Sequence, residues 1–258
     1  HVCHYGHMGS YKHLRIKELT MINLGDIFRM PRTIYHQWKD LEIFRCDEFY
    51  PAEGNPKRRY LAIFEVLREL PKLKEVLFSF QENADDPDIY KAFSFCLQCW
   101  PRLTKLGLSI ASNSPQNPNP PIIFKQIEKM RLKELMLNIN WFSLYSNHAA
   151  PIWLGGKAVE CLKSIKIEFI VEEYPGQMMV QICKNLNKIR GLQRLGLLID
   201  HHYYIVCFSL TPLLKEFTNL SQLESFIFAG KDFAVTNEDT NLLSSIVKKN
   251  TKLKELKI

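Results

Sequence analysis

The stretch Leu132-Lys133-Glu134-Leu135-Met136-Leu137-Asn138-Ile139-Asn140 carries the pattern that decides the fold. It reads L-x-x-L-x-L-x-x-N, and Leu132, Leu135 and Leu137 stand where a short strand would turn its side chains into a core. Asn140 stands where the chain is expected to leave the strand and turn. The stretch therefore predicts a half-buried β-strand that is followed by a turn.

The same phrase recurs along the chain at a nearly constant spacing. Its second apolar position returns after steps of 22, 35, 30, 29, 30, 30, 31 and 30 residues. Such a run of steps near 30 indicates internal repeats, each of them one supersecondary unit. The nine marker residues are Leu19, Leu41, Val76, Leu106, Leu135, Ile165, Leu195, Phe226 and Leu256.

Segments with helical periodicity lie between these phrases. Residues 60–70 form the first, and Pro71 is expected to end it. Asp88 can cap the next helix, over residues 89–99. One strand and one helix cannot bury their apolar faces alone, so the units are expected to stack. The other predicted helices span 121–130, 176–189, 211–220 and 239–250, with a short one near 153–161.

This pattern resembles the leucine-rich repeat superfamily, of the helix-bearing type found in ribonuclease inhibitors and F-box substrate receptors. The resemblance covers residues 14–258 and implies an α/β solenoid, or horseshoe, of about nine strand–helix repeats. It also implies a parallel sheet on the concave face. In that family an Asn or Cys ladder follows the strands, whereas here only Cys46 and Asn140 match it. The repeats are therefore predicted to be irregular.

The chain is expected to contain one repeat domain, residues 14–258, behind a tail of residues 1–13. The tail holds His1, Cys3, His4 and His7, but the segment 7–10 also looks like a cloning junction. An artificial tail is therefore favoured over a metal site, which needs four ligands held by a fold. Neither end of the array shows a polar capping unit. We therefore expect a fragment of a larger protein, or a partner that covers one end.

Composition is that of a globular protein with no predicted membrane contact. Of 258 residues, 46% are hydrophobic and 24% charged, with a net charge of +7 and no long apolar run. Seven cysteines without a framework spacing favour reduced thiols and an intracellular location, cytoplasmic or nuclear. Cys96 and Cys99 form a C-x-x-C pair at a helix end. Because no second pair stands at zinc-ribbon distance, they are predicted to be core cysteines.

Motifs of enzymes are missing from the sequence. It has no G-x-x-x-x-G-K-[ST], G-x-S-x-G, H-E-x-x-H or G-x-G-x-x-G. We therefore predict a non-enzymatic domain without a cofactor that binds a protein through its concave face. The family resemblance implies substrate recognition for a ubiquitin ligase, or ligand sensing in an immune receptor. Alternatives are a structural subunit of a large assembly and a nucleic-acid-binding scaffold.

The candidate partner-binding residues lie between the buried positions of the strands and in the loops that follow. Aromatic side chains on neighbouring loops are good interface anchors. The segment 200–204 could also be ordinary loop packing, or a metal or acid–base site. Asp40 and Glu42 are expected on the concave face of the second unit. The predicted site comprises Glu134, Met136, Asn138, Trp141, Lys166, Arg194, Asp200, His201, His202, Tyr203 and Tyr204.

Overall fold

Strands and helices alternate along the whole chain. A computed structural model describes residues 16–21, 38–46, 55–80, 86–112, 120–141, 156–171, 176–201, 208–230 and 233–258. The predicted tail, residues 1–13, lies outside the described residues. In the described part, each unit contributes one strand to a sheet, and most also contribute a helix packed behind it.

Nine strands form one parallel sheet in which spatial order follows chain order, β1-β2-β3-β4-β5-β6-β7-β9-β11. This confirms the predicted parallel sheet of about nine strands. Two further short strands, β8 and β10, pair with each other. The strands are β1 Glu18–Met21, β2 Ile43–Cys46, β3 Glu75–Phe80, β4 Lys105–Ser112, β5 Glu134–Trp141, β6 Ser164–Val171, β7 Arg194–His201, β8 Phe208–Ser209, β9 Ser225–Gly230, β10 Phe233–Ala234 and β11 Glu255–Lys257.

Seven helices are present in the described part of the chain, and successive ones pack side by side over most of the array. None of them is both long and apolar enough to cross a membrane. Prolines begin several of the helices, where a missing N–H costs nothing. The helices are α1 Pro56–Leu67, α2 Pro87–Cys99, α3 Pro120–Ile127, α4 Gly156–Cys161, α5 Gly176–Leu186, α6 Thr211–Phe217 and α7 Asn237–Lys249.

The shortest helix, α4, begins at a residue that must be glycine. Gly156 has a φ of +53°, in the left-handed region where side chains are strained. A Cβ atom at this position would stand 2.7 Å from the carbonyl oxygen of Glu128. The close approach lets the backbone N–H of Ala158 donate to that same oxygen at 3.3 Å. Gly156 therefore lets α4 pack directly against the end of the preceding unit.

The core lies between the sheet and the helices, and aromatic rings fill it between β3 and the first two helices. Phe80 stacks on Tyr90 at a centroid distance of 5.1 Å and meets Phe93 edge-on at 5.2 Å. Trp100 buries its indole and donates Nε1–H to the carbonyl of Leu67 at 2.9 Å. Such ring pairs stabilise a fold beyond the contribution of apolar burial alone. The aromatic cluster thus joins two adjacent units.

The second unit departs from its predicted register. Residue Phe44, not Leu41, pairs with Leu19 on one side and with Val76 on the other. Residues 38–40 form a single 3-10 turn, so the buried Leu41 precedes the strand. Leu41 thus occupies the first position of the repeated phrase and not the second. The predicted marker at residue 41 is therefore wrong by three residues.

Two residues assigned to the ladder also lie within strands. Cys46 is a buried residue of β2 that pairs with Phe78. Asn140 lies in β5 between Ala111 and Ile170, and the strand continues to residue 141. The predicted turn at Asn140 is therefore wrong, because four strands in the middle of the sheet run for eight residues. Pairing on both sides satisfies their backbone groups, so no side-chain ladder is needed for that.

Candidate functional site

In the part of the chain that the structure describes, one face of the sheet carries no helices. Buried strand residues such as Leu135 and Leu137 belong to the core, and the residues between them point to the opposite side. We call this side the helix-free face. It corresponds to the face that the sequence predicts to be concave. It is lined by the alternate residues of all nine paired strands, from Glu18 on β1 to Lys257 on β11.

Several predicted site residues share this face. Met136 pairs with Lys166, and Asn138 pairs with Glu168 on the same neighbouring strand. Glu134 pairs with Ser164, which in turn pairs with Arg194 on β7, so these residues form continuous rows. Side-chain exposure is 35% for Glu134, 45% for Lys166 and 57% for Arg194. The structure therefore brings Glu134, Met136, Asn138, Lys166 and Arg194, five of the predicted site residues, into one patch.

The predicted aromatic loop is only partly described. Asp200 and His201 belong to β7, where they pair with Ile170 and Val171, so their placement in a loop is wrong. Trp141 is the last residue of β5. Strands β5 and β7 each run for eight residues, which is longer than the sequence predicted. This length explains why Asp200, His201 and Trp141 lie in strands and not in loops. His202, Tyr203 and Tyr204 lie outside the described residues.

The acidic pair predicted for the second unit is not on the helix-free face. Ile43 and Arg45 occupy that face, as the corrected register requires. Asp40 and Glu42 instead precede β2, where they form ion pairs with Lys72 and Lys74 of the next unit. The hydrogen bond from Lys74 lowers the pKa of Glu42. The N-terminal third of the face is therefore less acidic than predicted.

Charged side chains on the helix-free face pair mainly with one another. Arg45 bridges Glu18 and Glu75, and Lys105 approaches Glu75 with its Nζ atom 3.4 Å away. Burial alone would lower the pKa of Arg45, but the carboxylates of Glu75 and Glu18 outweigh it and raise that pKa. The acidic residues are Glu18, Glu75, Glu134, Glu168, Asp200 and Glu255, and the basic ones are Arg45, Lys105, Lys166, Arg194 and Lys257.

The centre of the face is uncharged and hollow. A cavity of about 140 Å³ lies here, and three neighbouring strands, β3, β4 and β5, each contribute to it two residues of the helix-free face. Met136 is 36% exposed at its wall. On the far side, the pair formed by Lys166 and Glu168, 3.5 Å apart, borders the cavity. The six residues that these strands contribute from the helix-free face are all uncharged, and we call them the central patch: Leu77, Ser79, Gly107, Ser109, Met136 and Asn138.

Gly107 determines the shape of the hollow. A methyl group placed there would overlap Cδ2 of Leu77, whose side chain leans across the glycine. The hollow exists because β4 has no side chain at this register position, between Leu77 and Met136. Of the residues that line the hollow, the predicted site includes Met136, Asn138 and Lys166 but not Ser79, Ser109 and Glu168. The signal for them was the alternation that continues two residues beyond the phrase.

The C-x-x-C pair, Cys96 and Cys99, forms no second candidate site among the described residues. The thiol of Cys96 is buried and donates to the carbonyl of Phe64 at 3.2 Å. Burial raises the pKa of Cys96 to about 12, so the thiol stays protonated at neutral pH. Cys99 is half-buried, and both cysteines are free. Within the part of the chain described, no three His, Cys, Asp or Glu residues gather as metal ligands would.

The fold and the helix-free face define an α/β protein built from repeated strand–helix units, an architecture that is compatible with a repeat solenoid. Its units stack in chain order, and among the described residues one face of the sheet is free of helices. No protein-family model and no curated protein sequence matches the chain.

Proposed function

We propose that this chain is a non-enzymatic recognition domain of the leucine-rich repeat type, which binds a protein through its helix-free face. The observation that carries the proposal is the hollow at the central patch, where exposed Met136 and half-buried Leu77 flank Gly107. Interfaces are commonly built from an apolar centre with a polar rim. Here the rim is supplied by Ser79, Asn138 and the neighbouring ion pairs.

The size of the hollow suits one apolar side chain. A protein cavity of about 150 Å³ holds a benzene molecule, and the hollow measures about 140 Å³. Anchors of this kind account for most of the binding energy in many interfaces. We therefore propose that a partner inserts one aromatic or leucine side chain between Leu77 and Met136.

Balanced charge favours a protein partner over a nucleic acid on this face. Acidic and basic side chains are nearly equal in number there, and ion pairs such as Arg194 with Glu134 engage most of them. A nucleic-acid surface requires an excess of free cations that can displace counterions from phosphates. Substrate recognition for a ubiquitin ligase and ligand sensing, both implied by the family resemblance, would each use such a face.

The test compares three baits made from the whole chain: the wild type, Met136→Glu and Lys184→Glu. Met136→Glu places a charge in the hollow, whereas Lys184 is exposed on α5, behind the sheet. Proteins retained by the wild type are identified, purified and titrated against each bait by calorimetry. We expect Met136→Glu to weaken binding at least tenfold and Lys184→Glu to leave it unchanged.

Further arms of the same experiment distinguish the loop hypothesis and the nucleic-acid alternative. Trp141→Ala, Tyr203→Ala and Tyr204→Ala test whether the predicted aromatic residues contribute to the interface. If no purified protein distinguishes the wild type from Met136→Glu, the helix-free face is not the binding site. Affinity for an oligonucleotide that falls steeply with added salt would instead favour the nucleic-acid alternative.

A further inference from the structure

Four consecutive turns at one edge of the sheet expose almost nothing but positive charge. They lead from α2, α3, α4 and α5 into the next strand of the sheet, over residues 100–104, 128–133, 162–163 and 187–193. Eight residues of these turns are exposed, and all of them except Pro101 are lysine or arginine. Six of these cations form what we call the cationic edge: Arg102, Lys129, Arg131, Lys133, Lys163 and Arg190.

Backbone hydrogen bonds hold the four turns side by side. The N–H of Lys133 donates to the carbonyl of Thr104 at 2.8 Å, and the N–H of Lys163 donates to that of Lys133 at 2.9 Å. Gln193 continues the series with an N–H that donates to Lys163 at 2.9 Å. Neighbouring strands lie about 4.8 Å apart, so the row spans roughly 15 Å. Lys133 and Lys163 are thus direct neighbours in its middle.

The position that these two lysines occupy is neutralised elsewhere in the array. Lys74 pairs there with Glu42 at 2.8 Å, and Lys254 pairs with Glu224 at 3.4 Å. Both pairs join direct neighbours, since the N–H of each lysine donates to the carbonyl of its glutamate. The middle units instead place two lysines side by side, and like charges on neighbouring strands are destabilising. An anion bound from outside would supply the charge that the glutamates supply in the other units.

The cations of the edge are available to such an anion. None of the six forms an ion pair or a side-chain hydrogen bond with another described residue. Lys163 reaches into the following turn, where a Cβ atom on Gly191 would stand 2.8 Å from its Nζ atom. The ammonium group of Lys163 therefore lies at the turn that carries Arg190.

Helix dipoles do not account for this row. The C-terminus of a helix favours cations in its last turn, which is where Lys125 of α3 and Lys184 of α5 stand. Lys133 and Lys163 instead stand directly before β5 and β6. Their charges are therefore left to interact with a ligand and are not needed to complement a helix end.

The chemistry of the edge favours the phosphate backbone of a nucleic acid. Protein interfaces have apolar centres, and surfaces that bind membranes commonly insert apolar side chains. Here the apolar residues, such as Leu132 and Ile189, are buried. Lysine and arginine are the side chains that contact phosphates, and arginine can do so with two hydrogen bonds. A cationic row without apolar side chains therefore suits phosphates better than a protein or a membrane.

A duplex fits the edge better than a single strand. Proteins that bind single strands stack the bases on exposed aromatic rings, and Trp100, the only aromatic residue of the four turns, is buried. Phosphates rise by about 3.4 Å along each strand of a duplex, so a row of roughly 15 Å can meet about four of them. Contacts of this kind carry no sequence information.

We propose that the cationic edge binds the phosphate backbone of duplex nucleic acid without reading its sequence. Lys133 and Lys163 make the central contacts, and Arg131 and Arg190 flank them. The edge contains no residue of the central patch, so this second binding activity does not rest on the proposed function of the helix-free face.

Fluorescence anisotropy tests the proposal with the whole chain and a short labelled duplex of mixed sequence, made once as DNA and once as RNA. The affinity of the wild type should fall steeply with added salt, because binding releases counterions from the phosphates. Lys133→Glu/Lys163→Glu should weaken binding about tenfold or more at low salt. It should also reduce the slope of log affinity against log salt by about two.

Arg58→Glu/Lys91→Glu is the matched control, because it changes the net charge equally at exposed residues near the starts of α1 and α2. It should bind the duplex as the wild type does. Lys133→Arg/Lys163→Arg keeps the charge and should keep the affinity. Circular dichroism shows whether each variant is folded. If charge reversal unfolds the chain, Lys133→Gln/Lys163→Gln decides, and it should also weaken binding.

A wild type that binds neither duplex at low salt overturns the proposal. Equal weakening by the control variant overturns it too, because binding would then depend on net charge alone. Binding to phosphatidylserine vesicles but to neither duplex would assign the edge to a membrane surface. Met136→Glu should leave duplex affinity unchanged, which would show that the edge acts separately from the helix-free face. Loss of duplex affinity in Met136→Glu, with Lys133→Glu/Lys163→Glu unaffected, would place the nucleic acid on the helix-free face and overturn this site.

Discussion

Arg194 on β7 reaches past β6 to Glu134 on β5, with its Nη2 atom 2.8 Å from Oε1 of the carboxylate. The residue between them in register is Ser164. Because the serine side chain is short, the two longer side chains meet above it. Two residues of the same row on the helix-free face therefore interact across two strand spacings. The small side chain of Ser164 between them makes this contact possible.

A double-mutant cycle on this pair should give a small coupling. Glu134→Gln, Arg194→Gln and the double variant are compared by urea unfolding. Both side chains are more than one-third exposed, 35% for Glu134 and 57% for Arg194. We therefore expect a coupling of about 0.2 to 1 kcal/mol, and added salt should reduce it. Introducing Ser164→Leu should separate the partners and abolish the coupling. A coupling that persists in 1 M salt would contradict a surface ion pair.

Truncation of Phe93 should be far more damaging than truncation of Phe95, two residues along the same helix. Phe93 is fully buried, whereas Phe95 is 52% exposed. Phe93→Ala should lower the free energy of unfolding by about 3 to 5 kcal/mol, and Phe95→Ala by no more than about 0.5 kcal/mol. Urea denaturation measures both. Rings around Phe93 belong to Phe64, Phe78, Phe80 and Trp100, with centroids 5.3, 5.4, 5.2 and 6.0 Å away.

Equal losses for the two variants would mean that α2 presents a different side to the core. Circular dichroism of both variants before unfolding provides the check that the comparison starts from folded protein. Because the two substitutions remove the same side chain from the same helix, the difference in helix propensity between them cancels. What remains is the difference in packing.

Stability contributed by Asp239 should depend on pH. Thr211 Oγ1–H donates to its Oδ1 at 2.6 Å, and the N–H of Thr236 donates to Oδ2 at 2.8 Å, which completes a capping box for α7. Burial alone would raise the pKa of Asp239, but these hydrogen bonds outweigh it and lower that pKa. A lowered pKa means that the stabilisation is present above the unfolded value of 3.8 and is lost as pH falls.

At pH 7, Asp239→Ala should therefore cost about 1 kcal/mol of unfolding free energy, the usual contribution of a helix cap. The difference from the wild type should narrow as the pH falls below 4. Glu238→Ala is the control on the same helix turn, because Glu238 is exposed and does not belong to the capping box. A difference that stays constant between pH 7 and pH 3 would show that the carboxylate charge is not involved.

Cysteine alkylation should separate buried from accessible thiols. Cys96 is buried with its pKa raised to about 12, and burial raises the pKa of Cys183 as well. Iodoacetamide at pH 8 should therefore modify these two much more slowly than the half-buried Cys99 and Cys161. Peptide mass spectrometry of the folded chain measures each rate, and urea should remove the difference. Rapid modification of Cys96 would contradict the prediction that it is a core cysteine.

Spacing of apolar residues was sufficient to predict most of the fold. The recurrence near 30 residues predicts the parallel strands, and the prolines at residues 71 and 101 follow two helices that end at Leu67 and Cys99. The second unit was misplaced because Leu41 and Phe44 are both buried and apolar, three residues apart. Periodicity alone cannot choose between two such positions. Pairing with β1 and β3 decides between them.

By itself, the sequence determined which residues are buried in most units and that the units stack, because apolar side chains at strand and helix spacing must leave water together. Tertiary structure alone decided how far each strand runs, which charges meet across neighbouring strands, and where the face is hollow. These depend on distances between residues about 30 or 60 positions apart, such as Arg194 and Glu134, or Leu77 and Gly107. Local patterning carries no information about such distances, since strand pairing sets them.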